Sequence, residues 1–213
     1  MKNNQITISP NGIKKIVEDL ETFGQGRPLC IAFISLEESL NPNIPLSLAS
    51  YLNDKEKKTA IFDATRKNII IDALSHKGAF ESFTKEEDKT LVPFIMSQSN
   101  GKQGLDVSSI SNTFSGLPAD IYTSGKFANA LKEAKVSHHF VFLLLPSFIN
   151  EKEIVLAASK CDGVVLFINK EQTEKKLVYE LLRPLSLDNV TVISSLIMEK
   201  KSNNPLAWFS NHF

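Results

Sequence analysis

A chain of 213 residues, 42% hydrophobic and 23% charged, has the length and composition of one globular domain with a sizeable core. Lysine plus arginine equals aspartate plus glutamate, 24 of each, so the formal charge is zero and the basic excess of a nucleic-acid binder is missing. The opening MKNNQITISPNGIKKIVEDL has no apolar leader stretch. Apolar runs such as Phe140–Pro146 fall far short of the ~20 residues that cross a bilayer, so a cytoplasmic chain without direct membrane insertion is expected. Cys30 and Cys161 both sit in apolar context. They read as buried thiols rather than a disulfide or metal site, because zinc ligands come in close pairs.

In chain order, a single domain is expected over 1–213, with a helical lead-in over 1–28 and an aromatic tail over 203–213. After Ser9-Pro10-Asn11-Gly12, residues Ile13, Ile16, Val17 and Leu20 share one helical face opposite Lys14, Lys15, Glu18 and Asp19. Gly24-Gln25-Gly26-Arg27-Pro28 stops that helix. Leu29–Ile34 is apolar on both faces, as a central strand of a parallel sheet would be. A polar loop, Ser35–Pro45, leads to a helix over Leu46–Leu52. The basic run Lys55, Lys57, Lys58 reads as a solvated turn, diluted by Asp54 and Glu56, rather than a lipid contact. A second strand covers Thr59–Phe62.

From Arg66 to Gly104 the pattern is weak. Asn68–Leu74 suits a helix or a strand, Thr84–Lys89 is a charge run, and Ser97–Gly104 reads as loop. Leu105–Val107 reads as a short strand and Tyr122–Lys135 as a helix. His138 and His139 are neighbours, which a strand would point to opposite faces, so a role leading into a strand is favoured over metal binding. The last third alternates clearly. Strands are expected at Phe140–Leu145, Gly163–Ile168 and Val190–Leu196, and helices at Glu151–Ser159 and Glu171–Arg183, the latter ending near Pro184. Such alternation requires crossover connections. The fold class that follows is a three-layer α/β domain, its mainly parallel central sheet flanked by helices.

Four segments carry a family resemblance. Ala60-Ile61-Phe62-Asp63-Ala64-Thr65-Arg66 stands where an "IDADLR"-type motif would. Gly104-Leu105-Asp106-Val107 is followed by Leu117-Pro118, and then by Ser124–Leu131 with an S-x-x-F-x-x-L rhythm. Ala157–Leu166 has the form of "LADGVLLVV". In this order they resemble the bacterial tyrosine-kinase family of capsule and exopolysaccharide synthesis, a branch of the P-loop group that includes partitioning and septum-site ATPases. The similarity runs from Asp19 to Glu199, and it implies a P-loop-NTPase-like fold.

The resemblance also shows what this chain has lost. A phosphate-binding loop needs glycines for close backbone approach, a lysine, and a Ser/Thr hydroxyl for Mg²⁺. Ser35–Pro45 has neither glycine nor lysine, and Pro42 and Pro45 remove amide donors. Glu37 and Glu38 would repel a triphosphate, unit charges ~4 Å apart being worth ~4 kcal/mol at an intermediate dielectric. Asp63 survives from the second motif, but Thr65 replaces its next acid. Leu143 or Leu144 replaces the acid of the third motif. The tail has Trp208, Phe209 and Phe213 but no tyrosine to phosphorylate, and the ring-assembly pattern E-x-x-R-x-x-R aligns with Asn11, Lys14 and Val17.

A pseudoenzyme is therefore expected, without catalytic residue, cofactor or metal. Asp63 and Arg66 are its vestigial second-motif positions. Trp208, Phe209 and Phe213 are the candidates for contact with a partner, with docking onto their own domain the equal alternative. The implied partner is the cytoplasmic part of a membrane polysaccharide chain-length or export protein, which would recruit the chain to the inner face of the membrane. A homo-oligomer stays open, as do two other readings: a nucleotide-binding or weakly active ATPase, and a localisation factor akin to the positioning ATPases.

Overall fold

The computed structural model describes residues 10–36, 41–65, 69–75, 96–97, 105–109, 118–146, 151–170 and 173–198. Its strands are β1 (Leu29–Ser35), β2 (Thr59–Asp63), β3 (Met96–Ser97), β4 (Leu105–Ser109), β5 (Phe140–Leu144), β6 (Gly163–Asn169) and β7 (Val192–Met198). Its helices are α1 (Pro10–Gly24), α2 (Asn43–Asn53), α3 (Ile69–Ser75), α4 (Pro118–Thr123), α5 (Gly125–Ser137), α6 (Glu151–Ala158) and α7 (Lys175–Leu187). Among the described residues the seven strands join one sheet in the order β3-β4-β2-β5-β1-β6-β7, parallel throughout except for the two-residue β3 at one edge.

Burial explains the order. Every residue of β1, β2 and β5 is buried, as the mainly apolar sequences of these strands suit central positions; Ser35, Thr59 and Asp63 are the polar residues at their ends. β7 has one strand neighbour and is only partly covered. Alternate residues feed two cores. Ile31, Phe33, Phe142 and Phe167 face α1 and α2, with Phe33 stacked on Phe142 at 4.6 Å between ring centroids. Cys30, Ala32, Ile34 and Leu143 face the layer that contains α5, α6 and α7. The three-layer α/β expectation is met. Gly163 starts β6 because nothing larger fits: a Cβ there would stand 2.5 Å from Ile193 Cδ1 and 2.9 Å from the carbonyl oxygen of Thr191.

Several boundaries differ from expectation. The loop after β1 is shorter than Ser35–Pro45, since Ser35 ends the strand and α2 already begins at Asn43. Asn68–Leu74, ambiguous in sequence, is helical from Ile69. Ser97, expected in a loop, pairs in β3. The helix expected over Tyr122–Lys135 is two. Ser124 turns extended (φ −67°, ψ 136°), and its Oγ accepts from Phe127 N–H at 3.2 Å while donating to Ile121 O at 2.7 Å. That capping restarts the chain as α5. The helix expected over Glu171–Arg183 instead spans Lys175–Leu187 with Pro184 inside it. Buried Leu181 and Leu185 hold its last turn to the core, and Glu180, whose carbonyl loses its i+4 donor, is exposed.

Candidate functional site

In an open parallel sheet, ligands settle beyond the carboxyl ends of the strands, where successive connections leave to opposite faces. Here that point lies between β1 and β5. Helix α2 follows β1 onto one core, and α6 follows β5 onto the other. At this crevice Leu36, Asn41, Pro42, Leu145 and Pro146 follow or precede these elements; residues 37–40, including Glu37 and Glu38, and 147–150 lie outside the described residues.

A helix start beneath such a crevice normally offers free amides to an anion. At α2 they are occupied or absent. Asn43 N–H donates to Asn41 Oδ1 at 3.0 Å, Ile44 N–H to Asn41 O at 3.1 Å, and Leu46 N–H to Pro42 O at 3.3 Å. Pro42, at the cap, and Pro45, in the first turn, have no N–H.

Asp63 is the only carboxylate that ends a strand among the described residues. It is fully buried. Its Oδ1 accepts from both the N–H (2.9 Å) and the hydroxyl of Thr65, and its Oδ2 accepts from Ile70 N–H at 2.9 Å. The side chain therefore ties β2 to the first turn of α3. Burial pushes its carboxyl above the usual range despite these bonds, with the nearby Asp72 adding to the rise. Arg66, expected as the other second-motif position, lies outside the described residues. Thr65 is both donor to Asp63 and acceptor: its hydroxyl accepts from Ile69 N–H at 3.4 Å, closing the turn into α3.

Leu143 and Leu144, where the family resemblance implies an acid, are both wholly buried. Leu143 faces the core under α5 and α6, and Leu144 faces the other, opposite Phe33 and Asp63 in register. Trp208, Phe209 and Phe213 lie outside the described residues.

Three features escaped the sequence. Ser35 and Asn169, buried polar residues, end β1 and β6 beside the crevice; Asn169 N–H donates to Thr173 Oγ1 at 3.2 Å. His138 and His139 lead into β5, as expected, but the different partners of the two rings were not legible. His138 Nε2 meets Asp106 Oδ2 at 2.8 Å while its Nδ1 faces Ala134 O at 2.9 Å, whereas His139 Nδ1 accepts from Lys58 N–H at 3.2 Å. Acceptors at both nitrogens favour the doubly protonated ring of His138, and the Asp106 bond raises its pKa above the ordinary value. Finally, Cys30 and Cys161 are in contact, as neither spacing nor composition could show. A cavity of about 240 Å³ lined by Glu21, Arg27, Lys57 and His139 lies at the opposite, amino-terminal end of the sheet.

Comparison with known proteins places this geometry. The kinase domain of the Escherichia coli tyrosine kinase ETK superposes over 90% of this chain and 76% of its own, with a TM-score of 0.68 at 12% identity. The BceF tyrosine kinase domain matches over 87% of this chain and 75% of its own (TM-score 0.66, 11% identity). The fold is that of P-loop NTPases. The MinD cell division protein of Aquifex aeolicus shares it, over 79% of this chain and 68% of its own, with a TM-score of 0.58 and 15% identity. No protein-family model and no curated protein matches the chain. In this P-loop-like framework, segment 36–42 stands between β1 and α2, where the phosphate loop of such a fold is built. Among the described residues no helix is long and apolar enough to cross a membrane.

Proposed function

We propose that this chain is a non-catalytic, kinase-like binding protein of bacterial exopolysaccharide synthesis or export. The observation that carries the reading is the start of α2, where the amides that would meet a phosphate are bonded to Asn41 and Pro42 or replaced by proline. The other groups a nucleotide with Mg²⁺ would need do not fit it either. Asp63 has both oxygens engaged by its own turn, and leucines fill the end of β5. The surrounding framework is that of bacterial tyrosine kinase domains. A fold kept without its phosphate chemistry acts by binding. The partner this reading names is the cytoplasmic part of a membrane chain-length or export protein, with Trp208, Phe209 and Phe213 as contact residues and recruitment to the inner membrane face as the result.

Two measurements test it. Titration calorimetry with millimolar ATP and Mg²⁺ is expected to give no binding heat; saturable heat would favour the nucleotide-binding reading instead. Co-purification from cells is expected to bring down a membrane polysaccharide-assembly component, and reproducible absence of any such component would sink the proposal.

A further inference from the structure

At the end of the sheet away from the crevice, the fold brings together two residues 131 positions apart. Register does this. Ile31 of β1 lies opposite Gly163 of β6, so Cys30 and Asp162 are the next pair outward. Asp162 N–H donates to Cys30 O at 2.7 Å, and Asp162 Oδ2 accepts from Cys30 N–H at 2.7 Å. Lys135 Nζ, from α5, holds the same carboxylate oxygen at 2.7 Å. With Asp162 clamped in this way, the residue before it has little choice of position. The Sγ of Cys161 lies 3.4 Å from the Sγ of Cys30, and both are free thiols. Cys30 is within the core, at 1% exposure, whereas Cys161 is only partly buried. Bonded sulfurs stand ~2.05 Å apart, so a side-chain shift of ~1.4 Å would join these two.

We propose that Cys30 and Cys161 are an oxidative modification site, converted to an intramolecular disulfide by a small-molecule disulfide such as oxidised glutathione. Cys161, the less buried residue of the two, reacts first. Its thiolate attacks one glutathione sulfur, expelling glutathione thiolate and leaving a mixed disulfide. Cys30, deprotonated in turn, attacks the Cys161 sulfur and expels the second glutathione. Two protein thiols are oxidised, one disulfide is reduced to two glutathiones, and the two thiol protons pass to the released thiolates. Exchange proceeds through the thiolate. The Cys30 contact and burial hold the Cys161 thiol well above its ordinary value, with Asp162 adding to this and Lys135 opposing it. Closure is therefore slow at neutral pH and speeds up in alkali. The bond ties β1 to the turn before β6 across most of the chain, which restricts the unfolded state.

The test uses the full chain incubated with millimolar oxidised glutathione, then unfolded and alkylated. The expected product is lighter by two hydrogen atoms, takes up no alkylating agent, and yields a Cys30–Cys161 cross-linked peptide. Its thermal midpoint rises by about 5–15 °C, reversibly with reductant. Cys30→Ser is expected to stop at the glutathione adduct on Cys161, and Cys161→Ser to remain unmodified. Two alkylable thiols, or a stable glutathione adduct on the natural sequence, would overturn the site. Rapid modification of Cys30 in Cys161→Ser would overturn the order of attack.

Discussion

A carboxylate can be kept for chemistry or for architecture, and Asp63 separates the two by what its loss would do. Removing it leaves the buried N–H groups of Thr65 and Ile70 without their acceptor. An orphaned buried donor costs about 1–3 kcal/mol. Asp63→Ala is expected to lower stability to urea by about that much, and to leave the calorimetric response to nucleotide as flat as before. His138 gives a pH signature of its own. Folding raises its pKa above 6.5, chiefly through Asp106, against burial and the positive charge of Lys58. The pair's stabilisation is thus complete below pH 6.5 and fades as pH climbs through the raised value. Unfolding midpoints measured from pH 5.5 to 9 should fall across that window, and Asp106→Asn should flatten the fall.

At the level of elements, α7 contains a conflict that its packing resolves. Pro184 removes one hydrogen bond and crowds the preceding turn, yet Leu181 and Leu185 are buried against the core and hold the helix to Leu187. Pro184→Ala should therefore stabilise the protein by ~1–2 kcal/mol, read as a higher denaturation midpoint. The same residue shows how far the sequence could be read. Proline is a reliable stop in local terms, and only the burial of Leu185, a tertiary fact, overrides it. The apolar runs behind β1, β5 and β6 were legible because buried parallel strands need apolar residues on both faces. Ser124 was hidden for the opposite reason: serine fits a helix interior or a cap, and the choice depends on Ile121 and Phe127 in three dimensions. At the candidate site, the missing glycines and the leucines of β5 could be read directly. The capping roles of Asn41 and Asp63, and the meeting of Cys30 with Cys161, could not, because they depend on side-chain direction and strand register.

For the whole molecule, ligand linkage offers a simple discriminator. A nucleotide present at a hundred times its dissociation constant would add ~2.7 kcal/mol of stability, enough to raise the thermal midpoint of a domain this size by ~5–10 °C. Millimolar ATP with Mg²⁺ is expected to produce no such rise. The docking proposal predicts a separable effect. Trp208→Ala with Phe209→Ala should abolish co-purification with the membrane component while leaving the thermal midpoint within a degree or so. A midpoint that dropped by several degrees would assign those rings to the domain's own core. The start of α2 also bears on this protein's history. Under the proposed non-catalytic reading, offering a phosphate these amides would require the chain to replace Pro42 and Pro45, free Asn43 from Asn41, and acquire glycines and a lysine. Freeing Asn43 alone would remove one of the bonds that now hold the start of α2, with no phosphate loop yet in place of it. On that reading, phosphate binding gained by single steps would run uphill, and the arrangement would work as a ratchet.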